Sequence, residues 1–545
     1  MESTDLPLAG RTEAELAARF DAILAQFKQT DAPGLAVGVS LGQQLLYRRG
    51  VGMASLESRL AISPSTRMRI GSITKHFTAA LALLLCRDGK LNLDIPVRHH
   101  IPELVGPAGN PTIRELMLHR GGSRCHLDVG MICHGLTPSP VGTAVKFYAR
   151  QQDVNFQPGQ AMLYNNGGYL LLSVAIERAA GEAYERLLER RLFHPLGMYD
   201  TQSIPTDYVI TPGIATMHVE AEDGKWRRGL FVSEELRGGG GIVSTADDML
   251  RWMRALDCGN GPVDWGTLTA PPEGAHEASE YYAFGLQVSD YRGIRTISHS
   301  GGVIGGSAQM ITVPSHHLNI IVISNGAPTC DPSDIAEKII DAALSEQLSD
   351  RYPPIASKSY QSMVGDWWDS NEGMIYNLRS DEGTLKLHAF DSALGVDLKV
   401  TTSGDLCHSE SGFRDLTFSP HQDSNDELVA SFGGRTSKLK RLTPTSCRPP
   451  NCDAAIIGRY YSQDANAFAA ISSECGHFKI VLTDDIGVST SELRPLNNVI
   501  AYAGPFSGLI SCALTFDIQE SRVRGFVLNS VRTRHLRFEK ISETL

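Results

Sequence analysis

The sequence lacks any apolar run near the roughly 20 residues a membrane-spanning helix requires; the longest candidate, residues 79–86, is stopped by Arg87-Asp88-Gly89. A secretory leader is not expected either. Met1-Glu2-Ser3-Thr4-Asp5 is acidic where a signal peptide is basic, and no apolar core follows before the polar run at 10–15, so export is not expected. Basic clustering is absent too: 50 Lys and Arg are scattered among 61 Asp and Glu, giving a net charge of −11. Without a stripe to neutralise phosphates, nucleic acid is not expected as a partner, and neither is a membrane. The ten cysteines contain no C-x-x-C and no regular spacing. They are expected to be reduced thiols of a cytoplasmic protein. Cys125-His126 and Cys133-His134 offer four zinc-type ligands, but structural zinc sites usually present C-x₂₋₄-C pairs, so neither a metal nor another cofactor is expected.

What remains is ordinary globular material, 42% hydrophobic and 20% charged over 545 residues, enough for two to four domains. Up to about residue 344, helical and strand patterns alternate. Residues 20–27 and 73–85 suggest helices, 34–42 and 45–52 a strand pair, 169–180 and 246–256 further helices, and 308–313 and 319–324 apolar strands. This predicts an α+β domain over 1–348. Beyond it, short Val-, Ile-, Phe-, Tyr- and Thr-rich strands alternate with Gly, Asn and Asp turns, after a linker near Ser349-Asp350-Arg351-Tyr352-Pro353-Pro354.

That tail is internally duplicated. Val364-Gly365-Asp366-Trp367-Trp368 resembles Ile457-Gly458-Arg459-Tyr460-Tyr461, and eighteen residues after the first Gly each copy has another Gly opening a strand, Gly383 and Gly476. Each copy also closes on a similar strand, 438–442 and 535–539, with the Pro-rich stretch 443–451 between them. Two small antiparallel β-barrels are predicted, over 355–445 and 451–545.

Ser72-Ile73-Thr74-Lys75 has the form S-x-x-K at the start of the buried helix. Residues i and i+3 share a helix face, so the amine can take the serine proton, and the helix N-terminus favours an oxyanion. The pattern alone is weak: Ser437-Lys438-Leu439-Lys440 repeats it inside a barrel strand. The series is stronger. Tyr164-Asn165-Asn166 gives Y-x-N, and His299-Ser300-Gly301-Gly302 gives H-x-G before the strand at 308–313, although His119-Arg120-Gly121 shows that H-x-G also arises by chance.

With residues 193–198 and 240–248, this ordered set resembles the class C β-lactamase, DD-peptidase and esterase family of penicillin-recognising serine hydrolases, over roughly 34–325. The resemblance implies that Ser72 forms an acyl-enzyme and that Lys75 and Tyr164 share the proton transfers, with the base left open between them. It implies further that Asn166 orients Lys75 and the substrate, that the backbone N–H groups of Ser72 and Gly302 form the oxyanion hole with Gly301 beside the substrate, and that His299, where many relatives carry Lys, supplies a hydrogen-bond donor.

A catalytic domain followed by two barrels resembles the D-aminopeptidase branch of that family, which implies release of N-terminal D-amino acids, D-alanine preferred, from peptides, amides and esters by a homodimer. In that branch a loop of the last barrel enters the cleft and an acid on it meets the substrate ammonium. Here the corresponding hairpin, 502–510, is short and carries no acid, so Phe506 and the nearby Asp484, Asp485 and Glu492 are the candidate substrate contacts. The branch has Cys before the nucleophile where this chain has Gly71. A related amidase, esterase or β-lactamase-like hydrolase, and a non-catalytic penicillin-binding-type protein, stay open as alternatives. Since every motif precedes Asn325, the barrels are expected to limit access and to be removable.

Overall fold

In the computed structural model, residues 11–231, 233–275, 280–327, 330–349, 357–381, 384–392, 395–400, 405–408, 416–421, 424, 426–442, 455–520 and 522–544 are described. The expected linker at 350–354, the Pro-rich stretch 443–451, the N-terminal residues 1–10 and Gly383 lie outside them. Two units emerge, each built from separate stretches of chain: Met1–Asp94 with Tyr169–Arg351, and Ile95–Gly168 with Tyr352–Leu545.

The first unit is organised on a seven-stranded antiparallel sheet, in the order Tyr281–Tyr282, Gln287–Tyr291, Ile294–Val303, Gly306–Val313, Leu318–Ser324, Leu35–Leu41, Gln44–Val51. Leu318–Ser324 is buried at every position, as an apolar strand covered on both faces must be. On one face Leu16, Phe20, Ile335 and Ile339, from helices Glu13–Leu24 and Pro332–Leu344, pack on Val37, Ile320 and Val322. The other face receives helix Ala246–Asp257. Its Leu250 lies so close to Gly38 that a Cβ there would stand 2.8 Å from the leucine Cδ1. The first helix begins earlier than apolar periodicity suggests because Thr12 and Glu15 form a capping box, and residues 25–27 tighten into a 3₁₀ turn.

In the second unit both halves of the tail close into eight-stranded antiparallel barrels with strands in sequence order, over Gly365–Arg441 and Gly458–Ser542. The duplication extends to atomic detail. Gly365 and Gly458 open the barrels at φ +146° and +142°, values open to glycine and strained for any other residue. Two residues on, the buried Trp367 donates its indole N–H to the Met363 carbonyl at 2.8 Å, and the buried Tyr460 its hydroxyl to the Ile456 carbonyl at 2.6 Å. A cation from the closing strand covers each ring, Arg441 at 4.2 Å and Lys540 at 5.8 Å.

Residues 95–168 are bound into this unit by buried polar contacts. Arg124, 1% exposed, donates to the carboxylate of Asp464 at 2.7 Å and to the carbonyls of Asp153, Arg534 and His535. Asp128 accepts a hydrogen bond from Arg532 Nε at 2.8 Å, and its other oxygen is ion-paired with Nη2 at 2.8 Å. Met162 N–H donates to the Gly433 carbonyl of the first barrel at 3.0 Å. No helix among the described residues is long and apolar enough to cross a membrane.

Candidate active site

Ser72 lies in a 3₁₀ turn, Gly71–Ile73, that runs straight into helix Thr74–Arg87. One turn on, Lys75 is fully buried, and its Nζ reaches Ser72 Oγ at 3.0 Å and the Gly239 carbonyl at 2.6 Å. This is the i, i+3 geometry that the pattern requires, and the distance allows direct proton transfer. The Tyr169 ring lies 5.6 Å from Nζ. Gly239 and Tyr169 are partners that sequence reasoning missed. The available signal was the run Arg237-Gly238-Gly239-Gly240, since a Cβ on Gly238 would stand 2.4 Å from the Tyr169 carbonyl.

Glycine likewise sets the approach of the two main chains expected to form the oxyanion hole. Gly71 adopts φ +52°, and a Cβ on it would stand 2.7 Å from the Gly302 nitrogen; one on Gly301 would stand 1.9 Å from the Ile70 carbonyl and 3.2 Å from the Ser72 nitrogen. Main chain thus meets main chain here because Gly71 and Gly301 carry no side chain. Nothing lies within 4 Å of a Cβ position on Gly302, so space remains on that side.

His299, on strand Ile294–Val303, is buried with both ring nitrogens engaged. Nδ1 lies 2.6 Å from the Ser300 carbonyl and therefore donates. Nε2 lies 3.0 Å from the Tyr282 hydroxyl, which donates to it when the ring is neutral. The donor expected at the substrate is thus turned onto the backbone. Tyr282 carried no sequence signal. His76, beside Lys75, packs on Phe77 and Trp252, and burial holds its pKa well below the usual value, with nearby His299 pushing the same way.

Tyr164 and Asn166 belong to the second unit, at the entry to helix Asn166–Ala180. The segment that carries them lies against the turn 119–123: Leu163 N–H donates to the His119 carbonyl at 2.9 Å, Gly159 N–H to that of Arg120 at 2.9 Å, and Asn155 N–H to that of Gly122 at 2.8 Å. Asn165 caps the entry, its Nδ2 donating to the Ser123 carbonyl at 2.6 Å and its Oδ1 accepting Gly167 N–H at 2.8 Å. Gly167 has to be glycine, since a Cβ would fall 1.6 Å from the Tyr148 hydroxyl.

The expected specificity residues differ in burial and partners. Asp484 is part-buried and already engaged: it meets His134 Nδ1 at 2.7 Å and accepts N–H donors from Ile486 and Gly487 at 2.8 and 3.0 Å. Burial raises its pKa, but the His134 bond and charge with these donors outweigh it, leaving the carboxyl below its usual range. Asp485 is exposed and accepts from Asn466 at 3.1 Å. Glu492 is exposed on a barrel strand opposite Lys479. Phe506, expected at the substrate, ends strand Ile500–Phe506 of its hairpin and has no exposed surface. That hairpin docks on the end of helix His126–His134, Ser507 Oγ donating to the Met131 carbonyl at 3.4 Å.

Of the four zinc-type residues, His134 bonds Asp484 through Nδ1. His134 Nε2 contacts Ser139 at 3.1 Å, burial pushes the Cys125 thiol up to about 11, with Asp128 adding to it, and raises that of Cys133, and burial brings His126 down to about 4, with His134 adding to it. The second S-x-x-K lies on strand Arg435–Arg441, where Ser437 is buried and Lys440 exposed.

A family model described as Beta-lactamase matches residues 18–344. A D-aminopeptidase of Brucella melitensis biotype 2 is 27% identical over 455 residues, covering 82% of each chain. Among solved structures, the octameric penicillin-binding protein homologue from Pyrococcus abyssi aligns with a TM-score of 0.55 at 21% identity, covering 79% of this chain and 100% of that one. The D-amino acid amidase from Ochrobactrum anthropi SV3 complexed with D-phenylalanine aligns with a TM-score of 0.52 at 22% identity, covering 61% and 100%. The structural likenesses speak for the fold; the family model, matching more than half of the chain and spanning the Ser72–Lys75 pair, makes this protein a serine hydrolase that belongs to the beta-lactamase family.

Proposed function

We propose that the protein is a D-aminopeptidase that releases N-terminal D-amino acids, D-alanine foremost, from small peptides, amides and esters. Ser72 Oγ attacks the scissile carbonyl, its proton passing to Lys75 or Tyr164. The oxyanion is held by the N–H groups of Ser72 and Gly302, with Asn166 and His299 completing the site. The leaving amine takes the proton back, and water then releases the amino acid from the acyl-enzyme. The observation that carries the reading is the buried Lys75 amine 3.0 Å from Ser72 Oγ beside the glycine-lined approach of Gly302. The substrate class is supported by the 27% identical D-aminopeptidase, which matches this chain across 82% of its length.

One observation favours a second reading, an amidase or esterase of other small substrates. Asp484, the most enclosed of the acids proposed to meet the ammonium, is engaged by His134, and Asp485 and Glu492 are exposed. Hydrolysis of D-alanine p-nitroanilide, compared with its L isomer, an N-acetylated analogue and p-nitrophenyl acetate, separates the two. Loss of turnover on acetylation supports the aminopeptidase; equal turnover supports the alternative. Ser72→Ala is expected to abolish hydrolysis and covalent labelling with the melting temperature unchanged; undiminished turnover would remove Ser72 from the mechanism. A cytoplasmic homodimer belongs to the same proposal, and light scattering decides between a dimer and a larger assembly.

A further inference from the structure

His119-Arg120-Gly121 matches H-x-G without being the H-x-G of the reaction, yet its histidine is tied to the other proton-transfer candidate. The His119 ring packs on the Tyr164 ring with centroids 4.3 Å apart and planes at 44°. Its Nδ1 lies 3.1 Å from the backbone nitrogen of Asn165. That nitrogen is a donor, so Nδ1 accepts and the neutral ring carries its proton on Nε2. The His119 carbonyl accepts Leu163 N–H at 2.9 Å. One residue therefore grips the main chain before Tyr164, the main chain after it and the face of its ring. To do so it adopts φ +57°, a left-handed conformation uncommon for a residue with a Cβ.

We propose that His119 is a positioning residue for Tyr164, fixing the direction of the phenol during proton transfer rather than touching the substrate. The inference rests on Tyr164 taking part in that transfer. Lateral freedom of the phenol matters because a proton-transfer group must stay within hydrogen-bond reach of its partner, and a misplacement of about 1 Å can cost on the order of a hundredfold in rate. The ring contact opposes swinging about the Cα–Cβ bond, and the two main-chain bonds fix the Cα itself.

The test is a double-mutant cycle on kcat and KM with D-alanine p-nitroanilide, using His119→Phe, Tyr164→Phe and both together. His119→Phe keeps a ring but removes the acceptor. It is expected to lower kcat by about 10- to 100-fold with KM little changed, and to cost nothing further once Tyr164→Phe is present. His119→Gly suits φ +57°, removes both side-chain contacts and carries the same cycle should the Phe variant fail to fold. A His119 loss that persists undiminished beside Tyr164→Phe, or no loss at all, overturns the clamp while leaving the Tyr164 role intact. Full activity in Tyr164→Phe alone overturns that role, and the clamp with it.

Discussion

The segment around Ser72 and the segment around Tyr164 are built by opposite means. Around Ser72, order is made by absence: Gly71 and Gly301 let main chains meet, and Lys75 reaches its serine from the next turn of one helix. Around Tyr164, order is distant and made by polar side chains and main-chain bonds. The turn 119–123 holds one side, Gly433 of the first barrel pairs with Met162, and Arg532 and Arg534 of the second barrel engage Asp128 and Asn155. The first arrangement tolerates change far away and fails on one added methyl. The second tolerates small changes at the segment and fails when its partners are removed.

The largest expected effect comes from breaking the second arrangement wholesale. The sequence suggests barrels that limit access, so that a chain cut near Tyr352 would stay active with relaxed specificity. The structure points the other way. Such a chain loses the partners of Arg124, Asp128, His134, Asn155 and Met162 at once, together with Phe432, which packs on Phe156, Ala161 and Leu163. Residues 95–168 are then expected to become protease-sensitive and turnover to vanish. A soluble, active truncation would restore the barrels to the role of a wall. Asp464→Ala is the milder version: it leaves Arg124 buried with carbonyl partners and only the exposed Asp153 carboxylate 3.7 Å away, at a cost of up to about 3 kcal/mol, read as a lower midpoint in urea.

That contrast also sorts what the sequence could reveal. The Ser72–Lys75 pair, the strand pairs beside it and the duplication of the tail were legible because each depends on spacing within a short stretch. Gly365 and Gly458 mark the same backbone position in the two barrels, as Trp367 and Tyr460 mark the same tether. The helix start at Glu13 was missed although its signal, Thr12 with Glu15, was present, since apolar periodicity begins later. Other features had no local signal. His119 finds its partner Asn165 46 residues on, and Arg124 finds Asp464 340 residues on, so nothing in either neighbourhood indicates that its polar atoms are employed. Asp484 looked available for a substrate ammonium because His134, 350 residues earlier, is invisible from its turn.

A smaller effect should follow from adding one methyl to the first arrangement. Gly71→Ala must hold φ +52° against roughly 1–2 kcal/mol of backbone preference, and its Cβ would press on the Gly302 nitrogen 2.7 Å away. The cheapest relief moves the Gly302 N–H away from the oxyanion. Losing one such donor costs on the order of 10²–10³ in kcat, so a drop of about a hundredfold is expected, with KM nearly unchanged and the melting temperature lowered by a few degrees. Wild-type kcat in this variant would mean that Gly302 does not serve the oxyanion.

The smallest expected effect, and the one that sharpens the contrast most, lies at the second S-x-x-K. Ser437 and Lys440 have the same spacing as Ser72 and Lys75, but they lie on strand Arg435–Arg441 rather than at a helix start. Side chains three apart on a helix share a face, whereas on a strand they point to opposite faces of the sheet. Burial shows this directly, Ser437 inside with Leu439 and Lys440 outside with Lys438. An amine on the outer face has no route to a hydroxyl on the inner one, so the pair has no chemistry to lose. Ser437→Ala and Lys440→Ala are each expected to leave kcat and KM for D-alanine p-nitroanilide within error of wild type, while Lys75→Ala lowers kcat by at least about a hundredfold. A comparable loss at Lys440 would mean that the four-residue pattern, and not the helix that presents it, had been mistaken for the source of reactivity.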